Sequence, residues 1–320
     1  MASRFPILYV AEADPEDALM SSGVLAYLVE AMPTASFTVV GSPVSAPLFA
    51  DTPRLDRTLV LERDGRLEWL ALWNQVRSIG WGLVVDMRGS ALSGKLKRQK
   101  RAVRGEGEAG VHAVELAARV LQLDDIPAPR LFLSDATMAA VDALIPLADG
   151  PVLAVAPGAD WMGKQWPPER FAKVATALLA QDGPLAGGRL MIVGDEGDRD
   201  AAHTVRFAVK RDRVIELQGR LTPLQTAAAL RRATLYLGAD SLWTQLATAA
   251  GAPVVAAFGP SDDIERGPWG GVAVRGPRTV DEFRKIDPNL NQAILHMNDL
   301  PADRVLRAAT KLLAERATAG

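Results

Sequence analysis

An α/β fold built from two parallel-sheet units is the class this sequence predicts, and three observations carry it. Short apolar, β-branched runs alternate with longer segments whose apolar residues recur at helical spacing. The alternation occurs twice, on either side of a stretch bearing Pro and Gly, Ile145–Pro151. The length of 320 residues suits about two domains at roughly 150 residues each. We therefore expect one unit over 1–148 and another over 149–320. A cleft between two such units is the usual place for a ligand.

The elements follow in order. Pro6–Ala11 reads as a strand, and Asp17–Met32 as a helix that Pro33 stops. Ser36–Val40, rich in β-branched residues and ended by Gly41, is a second strand. Leu67–Ile79 is helical, Leu83–Val85 is a short strand ending at Asp86, and His112–Leu123 is a helix rich in Ala and Leu. In the second half, Pro151–Ala156 is a buried strand followed by Pro157-Gly158. Pro168–Gln181 is a helix with Pro at its start, where no amide hydrogen is needed. Leu190–Val193 is a strand ending at Gly194, and Arg199–Val209 is a helix. Val214–Leu217, Leu235–Leu237 and Val254–Phe258 are further strands. Thr222 caps a helix that runs to Arg232, another runs through Ala250, and Ala302–Ala317 is the last.

Composition excludes several classes of function. Cysteine is absent, so a disulfide framework, thiolate catalysis and every Cys-ligated zinc or iron–sulfur site are ruled out. The three histidines, His112, His203 and His296, are too widely spaced in sequence to suggest a His-rich metal site, and we expect no metal. With 36 Lys and Arg against 38 Asp and Glu, the formal charge of -2 argues against a nucleic-acid partner. The apolar stretch Phe5–Ala11 runs directly into Glu12, Asp14, Glu16 and Asp17, unlike a signal peptide. Two uncharged stretches, Ala31–Ala50 and Ser241–Ser261, are broken by Pro and Gly, so neither reads as a membrane span. The expectation is a cytoplasmic protein, with peripheral contact at the inner face of the inner membrane compatible with it.

Ligands of open α/β sheets bind beyond the carboxyl ends of the strands, so the residues after each strand are the candidates. Pro157–Phe171 carries Lys164 just ahead of a helix start, where it suits a phosphate. The spacing is not that of a Walker A loop. A loop whose Trp161 and Trp166 merely cover the core is an equal reading. Gly238-Ala239-Asp240-Ser241 precedes a helix, whose N-terminus attracts anions, although simple capping explains it as well. Gly194-Asp195-Glu196-Gly197-Asp198 suits ribose hydroxyls or a solvated turn. Asp14, Glu16 and Asp17 suit a general base or a helix dipole. After Asp86-Met87-Arg88-Gly89-Ser90 comes a basic run of Lys95, Lys97, Arg98, Lys100, Arg101 and Arg104. It is either a solvated face or a holder of an anionic acceptor. No Gly-x-Gly-x-x-Gly follows a strand, which speaks against a nicotinamide enzyme.

Taken together these segments resemble glycosyltransferase family 9, the ADP-heptose:lipopolysaccharide heptosyltransferases, over nearly the whole chain. Ile7–Met32 is similar to the family's opening strand, loop and helix, with Asp17 at its Asp. Val84–Ser90 resembles its Asp-x-Arg/Gln-Gly segment, and His112–Leu121 its His-Ala-Val helix. Lys164-Gln165-Trp166-Pro167-Pro168-Glu169-Arg170-Phe171 matches Lys-x-Trp-Pro-x-x-Arg-Phe. Phe258-Gly259-Pro260-Ser261-Asp262 and Gly267-Pro268-Trp269-Gly270 match two further motifs.

The resemblance implies a GT-B fold of two Rossmann-like domains facing a cleft, the first on the acceptor side and the second holding the donor, with the final helix returning to the first. It implies an inverting transfer of a heptose-type sugar from a nucleotide-diphospho-sugar, ADP-heptose by default, to a glycan or lipid-linked hydroxyl such as that of lipopolysaccharide core. No cofactor or metal is implied. By the resemblance, Asp17 is the base and Lys164 neutralises the leaving diphosphate. Asp198 binds the ribose, and Asp240, Ser241, Leu242, Trp243 and Gln245 form the diphosphate cradle. Arg88, Lys95, Lys97 and Arg98 are the acceptor-binding candidates. The chain departs from the family at Glu16 and Leu242, where the family has Gly, and at Gln245, where it has His. The acidic run Glu12–Asp17 is expected to repel anions. These departures support an alternative, a GT-B-shaped binding protein without turnover.

Overall fold

The computed structural model describes residues 5–145 and 150–319. The chain divides into two compact units, Met1–Asp135 and Ala136–Gly320. Residues 146–149, where the expected boundary between 148 and 149 falls, lie outside the described residues.

The first unit runs β1 (Phe5–Val10), α1 (Pro15–Met20), α2 (Ser22–Ala31), β2 (Ala35–Gly41), β3 (Leu55–Val60), α3 (Arg66–Val76), β4 (Trp81–Asp86), β5 (Arg98–Val103) and α4 (Ala113–Ala118). Its five strands form one parallel sheet in the order β3-β2-β1-β4-β5. The central strands read as unbroken apolar runs because both faces are covered. Leu8, Val10, Val40 and Val84 meet Leu72 and Val76 of α3 and Trp81 in one core.

The single helix expected over Asp17–Met32 is two. It begins earlier, because the Asp14 carboxylate accepts the amides of Glu16 (2.9 Å) and Asp17 (3.1 Å). It breaks at Ser21, where Ser22 Oγ donates back to the Leu19 carbonyl (2.6 Å). The basic run contains an unexpected strand, β5. Its exposed Gln99, Lys100 and Arg101 are the charged and polar dress of a sheet edge.

The second unit includes α5 (Asp135–Leu144), whose first residue belongs to the first unit. It continues with β6 (Val152–Ala156), α6 (Pro168–Leu178), β7 (Arg189–Ile192), α7 (Arg199–Val205), β8 (Val214–Glu216), α8 (Pro223–Leu230) and β9 (Leu235–Ala239). Then follow α9 (Leu242–Ala249), β10 (Val254–Phe258), α10 (Asp263–Arg266), β11 (Val272–Arg275), α11 (Val280–Ile286) and α12 (Ala302–Ala319). Six parallel strands form the order β11-β10-β9-β6-β7-β8. Leu153, Val155, Ile192, Leu237 and Val255 of the sheet pack with Trp166 and Phe171, and with Ala302, Val305 and Ala309 of α12. In each sheet the strand order reverses once, between β1 and β4 and between β6 and β9. Those are the positions where doubly wound sheets open a crevice for ligands.

Candidate active site

In the second unit the loop after β6 delivers Lys164 to the point of strand reversal. Its ammonium lies 3.0 Å from Asp240 Oδ2, just past the end of β9, and 3.7 Å from Asp160 Oδ1. Asp240 is 1% exposed, and its carboxylate oxygens accept no aligned hydrogen bond among the described residues. Lys164 is therefore the principal compensation for a buried charge.

The rest of the Lys164 motif is structural. Trp166 is fully buried, donates its indole N–H to the Leu300 carbonyl (3.0 Å), and meets the Phe171 ring edge-on at 4.7 Å. Arg170 donates to the carbonyls of Asn298 (2.6 Å) and Leu300. Trp161 donates to the Gln292 carbonyl (2.9 Å). The tryptophans of the loop tie it to the body of the unit, and its lysine is held at the strand reversal.

Ser241 heads α9 with extended backbone, and its side chain does not cap the helix. Its hydroxyl turns instead to the Ala239 carbonyl (3.4 Å). The first-turn amides of Leu242 and Trp243 thus lack a side-chain cap, leaving the positive end of the helix for another acceptor. Leu242 is half-buried and Trp243 buried. Gln245 is buried and donates Nε2 to the Arg266 carbonyl (2.9 Å), so its amide is committed to the chain. Asp198, after β7, accepts the Asp195 amide (2.9 Å) in a capping box. Its carboxyl lies against Gly158 so closely that any side chain there would collide with it. Burial pushes the Asp198 carboxyl above the usual carboxylate range, with the Asp195 amide opposing.

In the first unit, Asp17 lies in the first turn of α1, half-buried, just beyond β1. Glu12 is buried and ion-paired with Arg104, so one of the four carboxylates of the acidic run is neutralised. Asp86, at the end of β4, is fully buried and accepts from the Arg88 amide (3.2 Å) and Ser90 Oγ (2.7 Å). Arg88 Nε donates to the Ala11 carbonyl (2.8 Å), tying the two central strand ends together. Burial lowers the Arg88 value, while Asp64 and Asp86 oppose the shift.

A cavity of about 740 Å³ opens beside this knot. Trp69, Leu70 and Trp73 of α3 line it together with Asp64, Arg88, Leu92 and Lys95, and the Arg88 guanidinium lies over the Trp69 ring, 5.9 Å from its centroid. Of the four acceptor candidates, Arg88 and Lys95 line it and Lys97 and Arg98 do not. Lys97 is exposed, and the Arg98 guanidinium folds onto the Leu96 carbonyl (2.8 Å). Sequence reasoning missed the aromatic wall and the Glu12–Arg104 pair. The available signal for the first was Trp69 and Trp73 four residues apart beside Leu67 and Leu70, more apolar surface than one helix face needs.

The profile of glycosyltransferase family 9 (heptosyltransferase) matches residues 69–277, well over half of the chain. The chain belongs to glycosyltransferase family 9. Lipopolysaccharide heptosyltransferase 3 of Escherichia coli is 25% identical over 169 residues, 51% of this chain and 47% of that relative. The matched stretch thus spans about half the length of the curated relative. Among solved structures, a glycosyltransferase family 9 protein from Veillonella parvula superposes with a TM-score of 0.78 at 18% identity, covering 98% of this chain and 99% of that one. The E. coli ADP-heptose lps heptosyltransferase II gives 0.72 at 18%, with the same coverage. An E. coli heptosyltransferase solved with ADP gives 0.64 at 16%, covering 98% of both chains. The fold of this family 9 chain is accordingly GT-B. No helix among its described residues is long and apolar enough to cross a membrane.

Proposed function

We propose that this family 9 chain is an inverting glycosyltransferase that moves a heptose-type sugar from ADP-heptose to a glycan hydroxyl, as in assembly of lipopolysaccharide core. The observation that carries this reading is Lys164, fixed at the strand reversal of the second unit beside the uncapped start of α9. The acceptor hydroxyl gives its proton to the Asp17 carboxylate as its oxygen attacks the anomeric carbon. The bond from that carbon to the diphosphate oxygen breaks, and the nucleoside diphosphate leaves with the electron pair. Growing charge on the leaving group is met by Lys164 and by the amides of Ser241, Leu242 and Trp243. Fixed donors of this kind do the work a metal does elsewhere. Asp198 takes the ribose hydroxyls.

Two departures from the family bear on this reading. Leu242, half-buried at the start of α9, stands where the family has Gly, and Gln245 is occupied by Arg266. The contact with diphosphate therefore falls more heavily on Lys164. ADP-heptose named for the solved relatives supports the choice of donor. The acceptor belongs to the first unit, whose Arg88 and Lys95 suit an anionic glycan.

Asp17→Asn tests the assignment of the base. Turnover of ADP-heptose with a heptose-accepting glycan falls by about 10²- to 10⁴-fold while ADP affinity stays within about twofold. Unchanged turnover removes Asp17 from the chemistry.

A further inference from the structure

β9 is an apolar strand with one hydroxyl in it, that of Tyr236, and the tyrosine is fully buried. A buried hydroxyl needs a partner. The side chain runs along the strand towards its carboxyl end, over Gly238. A Cβ at position 238 would stand 2.3 Å from the phenol oxygen, so the glycine makes room for it. The oxygen thereby reaches the first turn of α9 and lies 3.1 Å from Thr244 Oγ1. Thr244 Oγ1 donates to the Ala239 carbonyl (2.6 Å). That bond takes the one proton of the threonine hydroxyl, so the phenol is the donor of the pair and its own oxygen is left to accept.

Ser241 supplies the hydroxyl that meets it. Burial pushes the Tyr236 phenol up, and hydrogen bonding with the Thr244 and Ser241 hydroxyls opposes the shift. The other contact of the Ser241 hydroxyl is the Ala239 carbonyl at 3.4 Å, a long bond to an oxygen that Thr244 already occupies. Serine is among the preferred N-caps, and it caps by accepting the second or third amide of its helix. Ser241 heads α9 with the extended backbone such a cap has, yet its side chain caps nothing. It is turned back towards the strand end, where Tyr236 and Thr244 are.

We propose that Tyr236 is a positioning residue for the donor diphosphate: its hydroxyl, seated over Gly238, draws the Ser241 side chain back from capping α9, so that the amides of Leu242 and Trp243 stay available to an anion. The diphosphate rests on the transferase reading, whereas the hold on Ser241 stands on the geometry of the second unit alone. Without that hold, Ser241 would take the Trp243 or Thr244 amide for itself.

The test is a double-mutant cycle on the full chain, with the parent, Tyr236→Phe, Ser241→Ala and the double variant. Each is titrated by calorimetry with ADP and with inorganic pyrophosphate, which carries no base, and each is melted. Tyr236→Phe weakens both ligands about fivefold, the competition of one N-cap. In the Ser241→Ala background, where no cap can form, Tyr236→Phe changes neither affinity by more than about twofold. The melting temperature separates this from a loss of packing. Tyr236→Phe lowers it less in the parent than in the Ser241→Ala background, because only the parent gains a cap. Should Tyr236→Phe fail to fold, Gly238→Ala, which crowds the phenol off its seat, takes its place in the same cycle. An equal loss of affinity in both backgrounds, or no loss in either, overturns the role of Tyr236. If pyrophosphate follows the cycle and ADP does not bind, the ADP-heptose donor falls and the role of Tyr236 stands. If ADP binds and the cycle shows no coupling, the role of Tyr236 falls and the donor stands. Binding of neither ligand to the parent overturns both.

Discussion

Lys164 is held between two carboxylates of very different burial, Asp240 inside and Asp160 at the surface. Removing it leaves the Asp240 charge buried without its partner, which is destabilising. Lys164→Ala therefore lowers the melting temperature as well as ADP affinity. Adding Asp240→Asn recovers much of the melting temperature but not the affinity, which differential scanning calorimetry and titration resolve together. A melting temperature that Asp240→Asn fails to raise in the Lys164→Ala background contradicts the pairing. Asp198 gives a pH prediction. Its folded-state value is raised by burial, so the protonated form is favoured in the fold. The stability this adds is present below the unfolded value and is lost as pH rises through the folded one. A ribose needs the ionised form as acceptor, so ADP affinity falls on acidification sooner than an ordinary carboxylate would make it fall. Asp198→Asn flattens that profile and lowers affinity at neutral pH. A profile identical in parent and variant removes Asp198 from the nucleotide site.

Among the elements, the segment after β6 shows how much of a motif is scaffold. Trp166, Arg170 and Phe171 bind the start of α6 to the turn at residues 296–300, and that anchorage fixes where Lys164 emerges. Trp166→Ala costs about 3–5 kcal/mol by the cavity it leaves, measurable by urea denaturation; a loss below about 1 kcal/mol would mean that the loop is anchored elsewhere. The central strands were legible in the sequence because both their faces are covered and the apolar runs are unbroken, as in β1, β2, β6 and β10. Of the four edge strands, β8 was legible and β3, β5 and β11 were not. A strand with one open side mixes charges into the run, and in β5 the Arg and Lys residues hid the pattern altogether. That dress keeps the edge unpaired. Replacing Lys100 and Arg101 by Val promotes self-association visible by light scattering; a variant that stays monodisperse at the same concentration contradicts this role.

For the whole molecule, two parallel sheets each reverse strand order once, and several of the residues singled out for chemistry lie at those two reversals. Asp17 and Arg88 sit at the first, Lys164, Asp240 and Ser241 at the second. The positions were legible because strand ends followed by Gly, Asp or Ser mark themselves in the sequence. The partners were not, since Glu12 with Arg104 and Gln245 with Arg266 join residues far apart in the chain. On the transferase reading the second unit holds a nucleoside diphosphate carrying heptose. Calorimetric titration of the purified chain with ADP-heptose, ADP, GDP and UDP, in chelator, tests it most directly. ADP-heptose and ADP are expected to bind saturably, each at least about tenfold tighter than GDP and UDP. Preference for GDP or UDP would contradict the donor, and no binding of any of the four would contradict the transferase.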